Sequence, residues 1–263
     1  MRRLIGLAIA MVGCSAEPEK VEPRPAREAR DVGAPAVPPA TPLPAEARQL
    51  LLGVVDDWED VTAELQRFER AGQVWKPVGE RWPAVIGSGG SGWGRGLHGQ
   101  GAPGGRSGPA KREGDGKSPA GAFALGASFG YAARPVEGAR APYTQVDDSW
   151  VCVDDPRSAH YNRVLDAEGV KTDWSSNEQM RRHDELYRWV VLVDHNQEAT
   201  AGAGSCIFLH LWRDAGAGTA GCTAMDKPAM ERLLAWLDPA ARPAFVLLPA
   251  GELAALRESW ALP

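Results

Sequence analysis

Positive charge is in short supply here: the 263-residue chain carries a formal net charge of −5. Nucleic-acid binding needs a basic face, so that class of partner is excluded. Long apolar runs are missing as well. No stretch of 18 or more apolar residues occurs, and nothing would cross a membrane as a mature helix. The glycine-rich stretch at residues 87–108 contains no Gly-Lys-Ser or Gly-Lys-Thr opening a helix, which argues against a phosphate loop. It suits a mobile loop over a site better, with His98 inside it as a further polar group. Cysteine is sparse, with four in the chain and no C-x-x-C pair. A zinc set of Cys206, His210 and Cys222 therefore lacks an obvious fourth ligand and ranks low.

What is present points to a folded domain behind a leader. Hydrophobic residues make up 44% of the chain, enough for a core, and 30 Gly with 21 Pro imply many turns. Residues 1–13 begin with Arg2 and Arg3 and continue as a short apolar run, the pattern of a secretory signal peptide rather than a membrane span. That run ends in Val12, Gly13 and Cys14, which resembles a lipobox and makes Cys14 the lipidation candidate. Ser15 after it resembles the sorting preference for an outer membrane. Residues 14–44 are Pro, Ala and charge; they cannot bury enough apolar surface to fold and read as a tether. Extended, such a tether reaches on the order of 90 Å.

In residues 45–72, Leu51, Val54, Val55, Trp58, Val61, Leu65 and Phe68 recur at spacings of three and four. This predicts a helix packed on the main domain and stopped at Gly72. Residues 73–250 change to short β-type runs divided by turn residues, interrupted by one short helix from Pro228, with Asp226 as its N-cap. The fold class expected is mostly β and sandwich-like, with a C-terminal tail at residues 251–263. The ten tryptophans read mainly as core or rim.

The chemistry concentrates in one stretch. Cys206, Phe208 and His210 alternate along a strand and share a face. The glycine-rich residues 214–218 then force a turn that can bring Cys222 back beside His210. A thiol reacts as its thiolate, so it needs such a base. Gly221 leaves the backbone beside the sulfur bare for an approaching carbonyl and its oxyanion. Asp154 and Asp155 could do acid–base work or form a turn. Cys152 and Cys206 are either a disulfide or two buried thiols.

His210 followed by Thr219, Ala220, Gly221 and Cys222 resembles the signature of the L,D-transpeptidase catalytic domain, the YkuD-like fold. A second stretch, from Lys111 and Glu113 through Ser118, Pro119, Ala120, Gly121, Ala122 and Phe123, resembles that family's strand entry, and the two stand in the family's order; residues 150–156 with Tyr161 and Asn162 join them. The likeness covers roughly residues 74–249. It implies an enzyme that acts on peptidoglycan stem peptides with Cys222 as nucleophile, His210 as base and no metal or organic cofactor, and the leader with Cys14 makes it exported, periplasmic and lipid-anchored. It also implies that Thr219, Asp155, Tyr161 and Asn162 shape the substrate cleft. Leu211 stands where the family has Gly, and Ala224 where it often has Arg; Arg213 is the candidate replacement for that charge. The same scaffold would serve an L,D-carboxypeptidase or wall-peptide hydrolase, or a wall-binding module with a dead site.

Overall fold

The computed structural model describes residues 41–263. The signal segment, Cys14 and most of the tether lie outside the described residues. The strands are β1 (Gln49–Val55), β2 (Thr62–Ala71), β3 (Val74–Val85), β4 (Ser91–Trp93), β5 (Arg95–Gly96), β6 (Gly99–Gln100), β7 (Ser118–Gly130), β8 (Tyr143–Gln145), β9 (Trp150–Val153), β10 (Arg163–Asp166), β11 (Asn177–Gln179), β12 (Val190–Val193), β13 (Phe208–Leu211), β14 (Thr223–Met225) and β15 (Ala244–Pro249). Helix α1 (Lys227–Trp236) follows β14, and α2 (Ala250–Leu256) follows β15.

The mostly-β expectation holds, but the strands do not form two facing sheets. The main sheet runs β12-β13-β14-β3-β2-β1-β15-β7, and β7 pairs back onto β12, so eight strands close into a ring. β9, β10 and β11 form a separate three-stranded sheet.

Residues 45–72 are not a helix; they supply β1 and β2. β1 pairs antiparallel with β2 on one side and parallel with β15 on the other. It is buried on both faces: Leu51 and Val55 pack with Leu209, Phe245 and Leu247, while Leu50 and Leu52 pack with Val246 and Leu248. A strand covered on both sides needs no alternation, so its apolar run imitates any period. The acidic stretch at residues 56–60 is the turn between the strands, with the Asp57 amide donating to Asp60 Oδ2 at 2.8 Å.

α1 does form after the strand that follows Cys222. Asp226 caps it, accepting from the Ala229 amide at 2.7 Å. Met230, Leu233 and Leu234 enter the larger core. The last segment is more than a tail, because Leu253, Leu256, Trp260 and Leu262 are buried with Leu50 and Val246. The end of the expected tether joins them: Leu43 is buried in that cluster, and Thr41 Oγ1 donates to the Trp260 carbonyl at 2.7 Å. No helix among the described residues is long and apolar enough to cross a membrane.

Removing a buried indole leaves a cavity that its neighbours fill only in part, so Trp260→Ala should cost about 3–5 kcal/mol of unfolding free energy. Denaturant unfolding checks this, and an unchanged midpoint would return residues 251–263 to the status of a loose tail.

Candidate active site

β13 and β14 are adjacent and parallel, with Leu209 opposite Thr223 and His210 opposite Ala224. Side chains alternate along strands, so Cys222, one residue before β14, lies on the same side as Phe208 and His210. The loop that returns to Cys222 is held by hydroxyls. Ser118 Oγ donates to the carbonyls of Gly221 and Cys222 at 2.8 and 2.9 Å, and Thr219 Oγ1 donates to the Cys222 carbonyl at 2.6 Å. Thr219 also bonds through its backbone to Ile86 and Ser88, both at 2.8 Å. Gly221 has a φ of 154° and no room for a side chain, since a Cβ there would stand 3.0 Å from the Lys117 carbonyl.

Cys222 and His210 are each 5% exposed and lie on the wall of one cavity of about 510 Å³. The Cys222 sulfur has two hydrogen-bond partners, both backbone: it accepts from the Phe208 amide at 3.3 Å and donates to the Cys206 carbonyl at 3.4 Å. The imidazole is not one of them. His210 Nδ1 lies 2.7 Å from the carbonyl of Leu211, its own neighbour. A carbonyl only accepts, so Nδ1 carries the proton and Nε2 is left with the free lone pair. The Tyr187 ring packs edge-on against His210 at 5.0 Å, and its hydroxyl donates to Glu178.

Burial dominates the electrostatics. It pushes the Cys222 thiol well up, helped by the Glu178 carboxyl, while the Phe208 amide, the Tyr187 hydroxyl and, least of the three, Lys111 oppose the shift. It lowers His210 to about 4 against the pull of the Leu211 carbonyl, and it raises Glu178 itself. The resting pair is thus a neutral thiol and a neutral imidazole, because a dry site disfavours either charged form.

The cavity wall carries both signs of charge, with Lys111, Arg182 and Arg213 against Glu113, Asp154 and Glu178. Of the residues the sequence put at the substrate cleft, Arg213 and Thr219 line this cavity. Asp155 does not. Its carboxylate accepts from Arg157 Nη2 at 3.0 Å, from Ser175 Oγ at 2.7 Å and from the Ser175 amide at 2.9 Å. These partners hold its carboxyl far below the usual range, Arg157 contributing most. Alternation at the end of β9 sends Asp154 to the cavity instead, where its Oδ1 is buried without a partner.

Tyr161 and Asn162 also stand behind the wall rather than on it. The Tyr161 hydroxyl and Ser205 Oγ both donate to Glu113 Oε2, and Glu113 faces the cavity. Asn162 Nδ2 donates to the carbonyls of His195 and Asn196, while its Oδ1 accepts from the Cys206 amide at 3.0 Å. The expected mobile loop at residues 87–108 lines none of the cavity. It contains β4, which pairs parallel with β7 and is buried, and His98 packs among Trp93, Phe123 and Trp260.

Cys152 and Cys206 form a disulfide with Cα atoms 6.0 Å apart. It fastens β9, whose Cys152 pairs with Glu178 of β11, to the residue whose carbonyl meets the Cys222 thiol. It also removes Cys206 as a thiolate ligand from the zinc set. Sequence reasoning missed Glu178, Tyr187, Glu113 and the role of Ser118. Ser118 and Glu113 had a signal, both lying in the second stretch.

No family model matches the chain, and no curated protein does. Among solved structures it is similar to the helical cell shape determining protein Pgp2 from Campylobacter jejuni, at 12% identity and a TM-score of 0.39. The match covers 77% of this chain and 48% of that one, so the chain spans about half of Pgp2's length. A likeness of that size identifies neither family nor activity.

Two measurements check this geometry. Unreduced, denatured protein should label at one of Cys152, Cys206 and Cys222, and reduced protein at all three; reduction should cost roughly 2–4 kcal/mol of stability. His210 and His195 are both buried with pKa values of about 4. An unfolded imidazole titrates near 6.5. Between about pH 6.5 and 4 the unfolded chain takes up protons that the folded chain refuses, so stability is full above that window and falls through it, by roughly 2–3 kcal/mol per imidazole. Urea midpoints at pH 7.5 and 4.5 should differ accordingly; a flat profile contradicts neutral burial.

Proposed function

We propose that this chain is a cysteine-dependent acyltransferase of the cell envelope, an L,D-transpeptidase-like enzyme working on peptidoglycan stem peptides. The observation that carries the reading is the placement of Cys222 and His210 on one side of adjacent parallel strands at the wall of a charged cavity. The motif resemblance noted in the sequence supplies the substrate class. A stem peptide with a diamino acid carries both ammonium and carboxylate groups, and the wall offers Glu113, Asp154 and Glu178 to the one and Arg182 and Arg213 to the other. The disulfide suits an oxidising compartment, in keeping with export and with lipid anchoring at Cys14 in the periplasm.

In this reaction the Cys222 thiol turns from the Cys206 carbonyl toward His210 as substrate enters. Nε2 takes the proton, and the sulfur adds to the carbonyl carbon of the scissile amide. The oxyanion collapses, the C–N bond breaks, and the departing amine takes the proton from His210. The thioester then passes its acyl group to an amine of a second stem peptide: His210 accepts that amine's proton, the C–S bond breaks, and the proton returns to the Cys222 sulfur. Water in place of the amine gives a carboxypeptidase. Because both groups rest neutral, proton transfer occurs with substrate bound rather than beforehand.

One observation favours a second reading, a wall-binding module without activity. The sulfur is nearly buried, burial pushes its pKa up, and both of its hydrogen bonds go to backbone.

Cys222→Ala should abolish thioester formation with stem peptides, read by mass, and leave unfolding within ~1 kcal/mol of wild type, since only one sulfur is removed beside an existing cavity. The product mass separates a cross-link from a lost residue. Alkylation of Cys222 should accelerate about tenfold per pH unit from pH 6 to 9, as for a raised thiol. No thioester and no alkylation would leave the binding module standing.

A further inference from the structure

We propose that Lys111 supplies the positive charge that stabilises the anion formed at Cys222, first the thiolate and then the oxyanion of the tetrahedral intermediate. This rests on the reading of Cys222 as nucleophile. The Lys111 side chain is 3% exposed, yet its tip reaches the cavity wall. Gly204 clears its path, and Gly221 marks where its tip ends. A Cβ on Gly204 would press on Lys111 Cε and Cγ at 3.0 and 3.2 Å, and a Cβ on Gly221 would stand 3.7 Å from Nζ. The ammonium is thus beside the Gly221–Cys222 peptide.

An ammonium has three N–H donors. Two are used, on Asp115 Oδ1 at 2.6 Å and on the Arg112 carbonyl at 2.7 Å. The third has no protein acceptor among the described residues. Asp115 is itself fixed, accepting from the amides of Arg112 and Lys117 at 2.7 and 2.9 Å, so the cation is held in place rather than free to wander. Of the cavity's other cations, Arg182 is likewise paired, with Asp184 at 2.8 Å, and Arg213 comes from the loop after β13; only Lys111 runs beside the Gly221–Cys222 peptide.

The chemistry requires such a charge. Around the sulfur stand the carboxyl of Glu178 on β11, the Tyr187 hydroxyl ahead of β12 and the Phe208 amide, with the His210 imidazole of β13 against the Tyr187 ring. Glu178 opposes a thiolate, and His210 turns cationic only after the proton has moved. Lys111 is positive before the proton moves, and a charge fixed in a site sheltered from water acts far more strongly than one in solvent.

Alkylation of Cys222 by iodoacetamide, followed by peptide mass mapping across pH, tests this without substrate. Lys111→Met should slow labelling about tenfold at any pH below the thiol's titration, a shift of one pKa unit. Lys111→Arg should restore it to within about threefold. Asp115→Asn, which removes the carboxylate that offsets the ammonium, should accelerate it. A purely structural clamp predicts the same direction for Lys111→Met and Asp115→Asn, and that result overturns the proposal. An unchanged rate in Lys111→Met overturns it too. If Lys111→Met does not fold, the acceleration or slowing in Asp115→Asn decides. Wild-type Cys222 that labels at no pH removes the nucleophile reading itself, a result distinct from labelling that ignores Lys111.

Discussion

Parallel neighbours in a sheet cannot be joined by a tight turn; the chain must travel back along the whole strand before it can start the next. β13 and β14 are such neighbours, and residues 212–222 make the return with no helix. That constraint shapes the site. The returning loop is glycine-rich, is pinned to Gly87 by a bridge at Thr219, and ends under two hydroxyls that both hold the Cys222 carbonyl. Cys222 therefore enters β14 beside β13 and on the side of His210. Ser118 ties this arrangement to β7, the strand that also closes the ring onto β12. The closure of the fold and the position of the thiol are in this way one structural event.

Packing and reactivity pull against each other at this point. Nearly full burial keeps both the sulfur and the imidazole neutral and leaves the sulfur bonded to backbone. The counterweight is the ring of charged side chains around the cavity, and the disulfide fastens part of it. Cys152 lies opposite Glu178 in the small sheet, while Cys206 offers its carbonyl to the thiol. Loosening that link would move an acidic wall and a thiol partner together. Such a site depends on charges being held in place, because flexible ones would be screened by the water that they admit.

Much of the site was legible in the sequence and much was not. His210, Thr219, Gly221, Cys222 and Arg213 lie within a dozen or so residues, and local spacing was enough to group them. Asp155, Tyr161 and Asn162 came from the right neighbourhood but serve one layer back. Alternation at a strand end decides which of two adjacent aspartates meets the cavity, and a one-residue slip exchanges them. Glu178 and Tyr187 left no local trace, and Lys111 stood at the head of the second motif with nothing local to give it a role. They belong to distant segments that touch only because β11, the chain ahead of β12 and the chain ahead of β7 converge on one cavity.

The same division runs through the fold. Strands covered on one side, and the capped helix α1, declare themselves through period and punctuation, which are properties of neighbouring residues. β1 did not, because a strand with a core on each face loses its alternation, and its leucines and valines fitted a helical period equally well. The sequence by itself determined a β-rich domain with a thiol and an imidazole close along the chain. Tertiary structure alone decided that the sheet closes on itself, that residues 251–263 seal a second core, and which charges surround the sulfur. Those outcomes depend on contacts between residues far apart in the chain, and no local pattern encodes the distance between them.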